Sequence, residues 1–358
     1  MVRQLRRICG VLGVLCLCPW TADQAAPGTA ASAAVLSGAA VPATMTAAAI
    51  DHAGGPEAIT LHTLPVPKPA ADEVLIALHT AGVASWDAAI RKRPEAISHS
   101  QFPLVLGTDG AGTIAALGST VHGFTVGDEV YAYSWDNPRG GFYAQYVAVP
   151  AQRVGHVPRG MSLTDAGAIG TTALTALQGI DDALHLKAGE TLIIHGAAGG
   201  VGTLAVQFAR LRGARVLATA TGDDGIALVK RLGADAAVDG RGGDIAAAAR
   251  AFAPGGVDAL LALAGGDALE RCLDALRRGG RVAFPSGVRP EPAARDGVTI
   301  VRYDAVAGPA EFARLNAAIL AAKLQVPIAA EFALADAARA HERLESGHVL
   351  GKIVLRIR

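Results

Sequence analysis

Between Glu73 and Pro150, apolar and polar residues alternate in short runs closed by glycine or proline. "EVLIALHTAGV" (Glu73 to Val83), "DGAGTIAALG" (Asp109 to Gly118), "GDEVYAY" (Gly127 to Tyr133) and "AQYVAVP" (Ala144 to Pro150) show it best. A period of two predicts half-buried strands, and residues 45–165 are expected to form a rolled antiparallel β domain. After about residue 165 the rhythm changes. "ETLIIHG" predicts a strand, "GVGTLAVQFARLRG" a helix, "ARVLATA" a strand and "GIALVKRLGA" a helix. The alternation continues through "AAVD", a helix near Ile245 to Phe252, "DALLALAG", a helix near Ala268 to Leu276, "RVAFPSG" and a sixth strand in "VTIVRYD". Strands alternating with helices of this length predict an α/β domain with a doubly wound parallel sheet. Ala310 to Arg358 carries amphipathic helices and a terminal strand, "GKIVLRI", expected to return to the first domain.

Residues 1–44 follow neither pattern. Arg3, Arg6 and Arg7 precede an apolar run from Ile8 to Trp20, and an Ala-rich stretch follows. That is the order of a signal peptide, and the run is short for a membrane span. The Arg6-Arg7 pair fits a twin-arginine signal loosely, and no clean Ala-x-Ala cleavage site stands out. Export to the periplasm through residues 1–26 and an over-extended reading frame are the two explanations. The expected location is cytoplasmic, with export as the alternative. The domains predicted are 1–44 (a non-structural extension), 45–170, 171–309 and 310–358.

Composition narrows the function. Of 358 residues, 51% are hydrophobic and 18% charged, enough for a large core. Thirty-two basic residues balance 32 acidic ones, so charge gives no reason to expect nucleic acid as a partner. Cys9, Cys16 and Cys18 lie in the leader-like segment and Cys272 stands alone, which excludes a disulfide framework or a Cys-rich zinc lobe.

The sharpest chemical signal is "HGAAGGVG", His195 to Gly202, between a predicted strand and helix. Glycines at 199 and 200 let a pyrophosphate approach the backbone, Gly202 lets the helix pack on the strand, and the helix N-terminus offers N–H groups. Ala197 stands at the first glycine position of G-x-G-x-x-G, so Ala197, Ala198, Gly199, Gly200, Val201 and Gly202 are the expected cofactor turn. The residue that reads the ribose falls about 20 positions on, at Ala220, flanked by Thr219 and Thr221. With no carboxylate there, NADP(H) is favoured, with the two threonines as donors. Arg241 and Lys230 are candidate cations, each with a solvated surface role as the plain alternative.

"LPVPKPAADEVLIALHTAGV", "FPLVLGTDGAGTIAALG", "TALTALQGI", "IIHGAAGGVG", "RLGADAAVD", "LRRGGRV" and "HVLGKIVL", in this order, resemble the zeta-crystallin-like quinone oxidoreductases, a zinc-independent branch of the medium-chain dehydrogenase/reductase superfamily. The resemblance spans Met45 to Arg358. It implies a GroES-like β-rich catalytic domain, a Rossmann domain, a cleft between them and a homodimer. Zinc-dependent relatives carry Cys after "AGV" and a Gly-His-Glu segment. Here Ala84 and Gly107-Thr108-Asp109 stand instead, and no metal is expected. The resemblance places Thr175, Ala264, Gly265, Gly266 and Gly287 on the nicotinamide side.

Relatives often carry Asn and Tyr after "AGV", where this chain has "ASWDAAIRK". Trp86, Asp87, Tyr133 and Trp135 are the substrate-cleft candidates. Trp86 either stacks on a flat quinone or packs, and Asp87 either relays a proton or caps a helix. The expected activity is NADPH-dependent reduction of quinones or related conjugated carbonyls. Enone C=C reduction and a non-enzymatic NADPH-binding role are the alternatives.

Overall fold

In the computed structural model of the chain, residues 41–97 and 101–358 are described. The leader-like segment 1–40 lies outside them. Strand β1 (Thr44–Ile50) pairs antiparallel with β2 (Ile59–Pro65), and Val66 N–H donates to the Ala43 carbonyl at 3.0 Å. Among the described residues the first domain's backbone pairing therefore begins at Ala43, two residues ahead of the boundary drawn at Met45.

The frame of this domain is β3 (Glu73–Val83), whose eleven residues match the alternating run read from the sequence. Helix α1 (Ser85–Lys92) follows, and the two-residue β4 (Leu104–Val105) adds to β1. Next come β5 (Asp109–Leu117), β6 (Glu129–Tyr133), β7 (Tyr146–Pro150) and β8 (Val154–His156). Strand β3 pairs antiparallel with both β5 and β7. It shifts register at Leu75/Ile76 and Leu78/Thr80 against β5, and such irregularities bend a strand and help roll a sheet.

Helix α2 (Leu163–Gln178) opens on Ser162, whose hydroxyl accepts from Asp165 N–H at 3.0 Å. It is buried on nearly all sides, so its apolar positions show no single face. The domain boundary placed at 170 falls inside it.

The parallel sheet contains β9 (Thr191–His195), β10 (Arg215–Ala220), β11 (Ala236–Asp239), β12 (Val257–Ala262), β13 (Leu276–Pro285) and β14 (Thr299–Tyr303), in the order β11-β10-β9-β12-β13-β14. The helices between them are α3 (Gly200–Leu211), α4 (Gly222–Arg231), α5 (Ile245–Phe252) and α6 (Asp267–Leu273). Strand order reverses between β9 and β12, which opens a crevice at the carboxyl ends of the strands.

Helix α7 (Pro309–Ala322) touches both domains: Phe312, Leu315 and Ile319 share a core with Val206 and Phe208 of α3, while Phe312 packs edge-on against Tyr131 of β6 and Asn316 accepts from the Tyr131 hydroxyl at 2.7 Å. The chain completes its return to the first domain after it. Strand β15 (Ile328–Ala333) lies parallel to β16 (Lys352–Arg356), with α8 (Ala337–Glu345) between them, and β16 pairs antiparallel with β3, Ile353 opposite Val83. The return expected from residue 310 thus starts with a helix that packs on both domains. No helix among the described residues is long and apolar enough to cross a membrane.

Candidate active site

Strand β9 is buried throughout and ends at His195, where the chain turns sharply. Gly196 takes φ +80°, a left-handed conformation that costs glycine little. Its N–H and that of Ala197 are held by the Thr219 hydroxyl and carbonyl, at 3.2 and 2.9 Å. The Ala197 methyl is buried in the core, which is how alanine fits where the fingerprint has glycine. Gly202 has no such room. A Cβ there would lie 2.4 Å from the Gly196 carbonyl oxygen and 2.6 Å from the Ala197 Cα. The first turn of α3 thus packs directly on the β9–α3 turn, and its leading N–H groups, which have no acceptor within the helix, are left for an anion. Val201, in that turn, is half-buried.

The turn is also fastened to the other domain. Gly351 N–H donates to the Ala198 carbonyl at 2.8 Å, and Gly199 bridges to Gly351. One residue on, the buried Lys352 sends its stem past Gly200 and its ammonium to within 3.4 Å of the Val83 carbonyl and 5.6 Å of the Trp86 ring centre.

Beneath that ammonium is a buried polar cluster. Trp86 N–H donates to the Thr108 hydroxyl at 2.7 Å, so the indole is pinned and half-buried. Asp87 is fully buried, and its Oδ2 accepts from Ala84 N–H at 2.8 Å and from the Tyr143 hydroxyl at 3.3 Å. The first of these is a helix cap, with the carboxylate reaching back from the third residue of α1. Its Oδ1 is buried with no hydrogen-bond partner. Burial, then the nearby Asp109 carboxylate, raise the Asp87 carboxyl to about 7, against the pull of Lys352.

Asp109 accepts from Thr171 N–H at 2.8 Å and leaves its other oxygen buried and unpartnered. Tyr143 in turn contacts His341 Nε2 at 3.1 Å, and Arg91 donates to His341 Nδ1 at 2.9 Å. Arginine only donates, so His341 carries its proton on Nε2 and the donors run Arg91, His341, Tyr143, Asp87. Burial and Arg91 hold the His341 imidazole near 4, hence neutral. This chain orients Asp87. It cannot carry protons inward, because its outer end is a guanidinium that does not deprotonate.

The other predicted residues divide. Tyr133 lies opposite Asp109 in the β5–β6 register, with its hydroxyl raised to about 12 by burial and by Asp109. Trp135, two residues further, is 40% exposed. Thr175 is buried, its hydroxyl donating back to the Thr171 carbonyl at 2.8 Å while its own carbonyl accepts from the Tyr303 hydroxyl at 2.9 Å.

Gly266 caps α6 at φ +95°, and Leu263 N–H ties the loop holding Ala264 and Gly265 to the His195 carbonyl at 3.0 Å. Gly287 has open space around it. Arg241 is exposed, and only its backbone N–H is fixed, by Asp239 at 2.8 Å.

Thr219 requires a correction. It is 1% exposed, and its hydroxyl meets Gly196 N–H and, at 2.8 Å, His195 Nδ1. It supports the turn from below and is not free to donate to a phosphate. Ala220 likewise faces the core and is 4% exposed, and Thr221, the N-cap of α4, is the more open of the three, half-buried.

His195 is pushed down to about 4 and the Cys272 thiol up to about 12, both mainly by burial, with Sγ 3.9 Å from Nδ1. Neither is charged at neutral pH. Among the described residues no group of three His, Cys, Asp or Glu side chains is arranged to hold a metal. Sequence reasoning missed Lys352, Tyr143, His341 and Arg91 as parts of the site. Lys352 stood in a quoted terminal motif, but only its pairing partners reveal its place.

Comparison with known proteins agrees with this architecture. The alcohol dehydrogenase GroES-like domain matches residues 70–159, and the zinc-binding dehydrogenase family matches residues 232–355. The pig (Sus scrofa) quinone oxidoreductase is 32% identical over 87% of this chain and 97% of its own length. A probable quinone oxidoreductase of Schizosaccharomyces pombe is also 32% identical, over 86% and 95%. Among solved structures, the Coxiella burnetii quinone oxidoreductase matches with TM-score 0.78 at 30% identity, covering 88% of this chain and 100% of that one. The Escherichia coli quinone oxidoreductase complexed with NADPH matches with TM-score 0.78 at 25% identity, over 87% and 100%. The chain belongs to the quinone oxidoreductase branch of the medium-chain dehydrogenase/reductase superfamily and is an NAD(P)-dependent oxidoreductase.

Proposed function

We propose that the chain binds NADPH across the C-terminal edge of its parallel sheet and reduces quinones or related conjugated carbonyls without zinc. The observation that carries the reading is the β9–α3 turn, where Gly202 leaves no space for a side chain and α3 presents its N-terminus to the crevice. The absence of a carboxylate at Ala220 and Thr221 fits a 2′-phosphate there, and the complex of the Escherichia coli relative with NADPH supports the same choice. When bound, the nicotinamide supplies a hydride.

The chain's own residues do the rest. The turn and α3 hold the phosphates, Lys352 sets positive charge between the turn and the cleft, and Trp86, pinned by Thr108, offers a rigid aromatic face. A quinone that accepts hydride also needs a proton on oxygen. The fully buried Asp87, capping α1 through Ala84 N–H, holds the helix that carries Trp86, and the proton is left to solvent.

Zinc independence rests on side-chain chemistry. The Ala84 methyl cannot ligate, and the Thr108 hydroxyl is already bonded to Trp86. A homodimer and a cytoplasmic site of action, where reduced nicotinamide is available, complete the proposal. Steady-state oxidation of NADPH with a quinone panel, an enone panel and simple alcohols tests it. Quinones are expected to turn over fastest, and robust alcohol oxidation with no quinone activity would overturn it.

A further inference from the structure

If NADPH binds at this edge, its 2′-phosphate needs a cation, and none follows β10 directly: the residues there are Thr221, Gly222, Asp223 and Asp224. Asp224 is engaged by His348 Nε2 at 2.9 Å. The edge does receive a guanidinium from across the sheet. Arg271 of α6 is half-buried, and its Nη2 donates to the Gly240 carbonyl at 3.3 Å.

Gly240 is the first residue after β11, and its N–H donates to the Ala220 carbonyl at 2.8 Å. Arg271 therefore reaches the carbonyl of the residue tied to the end of β10. A Cβ at Gly240 would sit in ordinary contact with the Thr219 side chain and the Ala220 oxygen, at 3.7 to 3.8 Å, so this residue lies against the end of β10.

The guanidinium has donor capacity left over. Its Nε is buried with no hydrogen-bond partner. Arg277 is paired with Asp258, Arg281 with Glu190, and Arg295 with Glu270 and Asp274, whereas Arg215, Arg241 and Arg250 are in no ion pair among the described residues. Arg271 makes no such pair among the described residues either. An unpaired, partly desolvated guanidinium is suited to a phosphate, which it can bind through two parallel N–H donors.

We propose that Arg271, rather than Arg241, pairs with the 2′-phosphate of NADPH and so sets the preference for NADPH over NADH. This rests on the cofactor site proposed above and adds to it the residue that reads the phosphate.

The test is direct titration of the full chain and its R271Q, R271K and R241Q variants with NADPH and NADH, with thermal melting of each alongside. R271Q should bind NADPH about 10–100-fold more weakly, the range for losing a charged hydrogen-bond partner, and bind NADH as the wild type does. R271K should recover part of the NADPH affinity, and R241Q should change neither.

Equal loss of both cofactors in R271Q or R271K would overturn the assignment in favour of an adenine contact or a folding role. An unchanged NADPH/NADH ratio in R271Q would overturn it too, as would the loss falling on R241Q instead. A wild type that binds neither cofactor would refute the cofactor site itself, which separates that failure from this one.

Discussion

Asp87 is fully buried, with one carboxylate oxygen on a cap and the other without a partner. Its carboxyl stands at about 7 against an ordinary 3.8, so the folded chain holds this proton more tightly than the unfolded chain does. The stability contributed by that proton is full below the ordinary value, falls as pH rises towards about 7, and is gone above it. D87N keeps an acceptor for Ala84 N–H but does not titrate. Urea unfolding should therefore show it gaining roughly 1–3 kcal/mol on the wild type between about pH 5 and pH 8. A difference that is constant with pH would contradict the buried acid. Thr221 gives a second test, because Asp is also a good N-cap. T221D should melt no lower than the wild type yet bind NADPH about 10–100-fold more weakly, by placing a carboxylate beside the 2′-phosphate, with NADH affinity kept. Titration of both cofactors decides it, and unchanged NADPH affinity would remove Thr221 from the ribose edge.

At the scale of elements, the β9–α3 turn depends on direct backbone packing at Gly202. G202A must displace either the Gly196 carbonyl or the helix. It should lower stability by about 1–3 kcal/mol, the range for overpacking, and abolish measurable NADPH binding. Denaturant unfolding and titration together check this, and a variant that still binds would show the turn to be more yielding. This element was legible in the sequence because a glycine turn between a strand and a helix is a local pattern. So was the extent of β3, Glu73–Val83, although the strand is buried on both faces where the alternation predicted one. Helix α2 was less so. With nearly every residue buried it shows no amphipathic face, and the domain boundary fell inside it. Counting positions on from the turn misled at Thr219. Residue 219 shares the face of Leu217, towards Ile245 and Cys272, so its hydroxyl turns to His195 rather than to the crevice. The Arg91–His341–Tyr143 chain could not be read at all, since its first bond joins residues 250 positions apart.

The whole molecule is joined at its nucleotide site by one strand. Strand β16 pairs with β3 through Ile353 and Val83, while Gly351, just before it, is bonded to Ala198 in the turn. A cofactor seated on that turn should therefore stabilise both domains together. At about 100 times its Kd, NADPH should add about 2.7 kcal/mol and raise a single melting transition. Two transitions, only one of them shifted, would show that the domains unfold separately. The central claim is hydride transfer from NADPH to a quinone on a site that needs no zinc. It is tested most directly by following NADPH oxidation with a simple quinone before and after exhaustive treatment with a metal chelator. Quinone-dependent oxidation should run at the same rate in both samples, and more slowly from NADH. Activity that is lost to the chelator and restored by zinc, or no quinone-dependent oxidation at all, would contradict it.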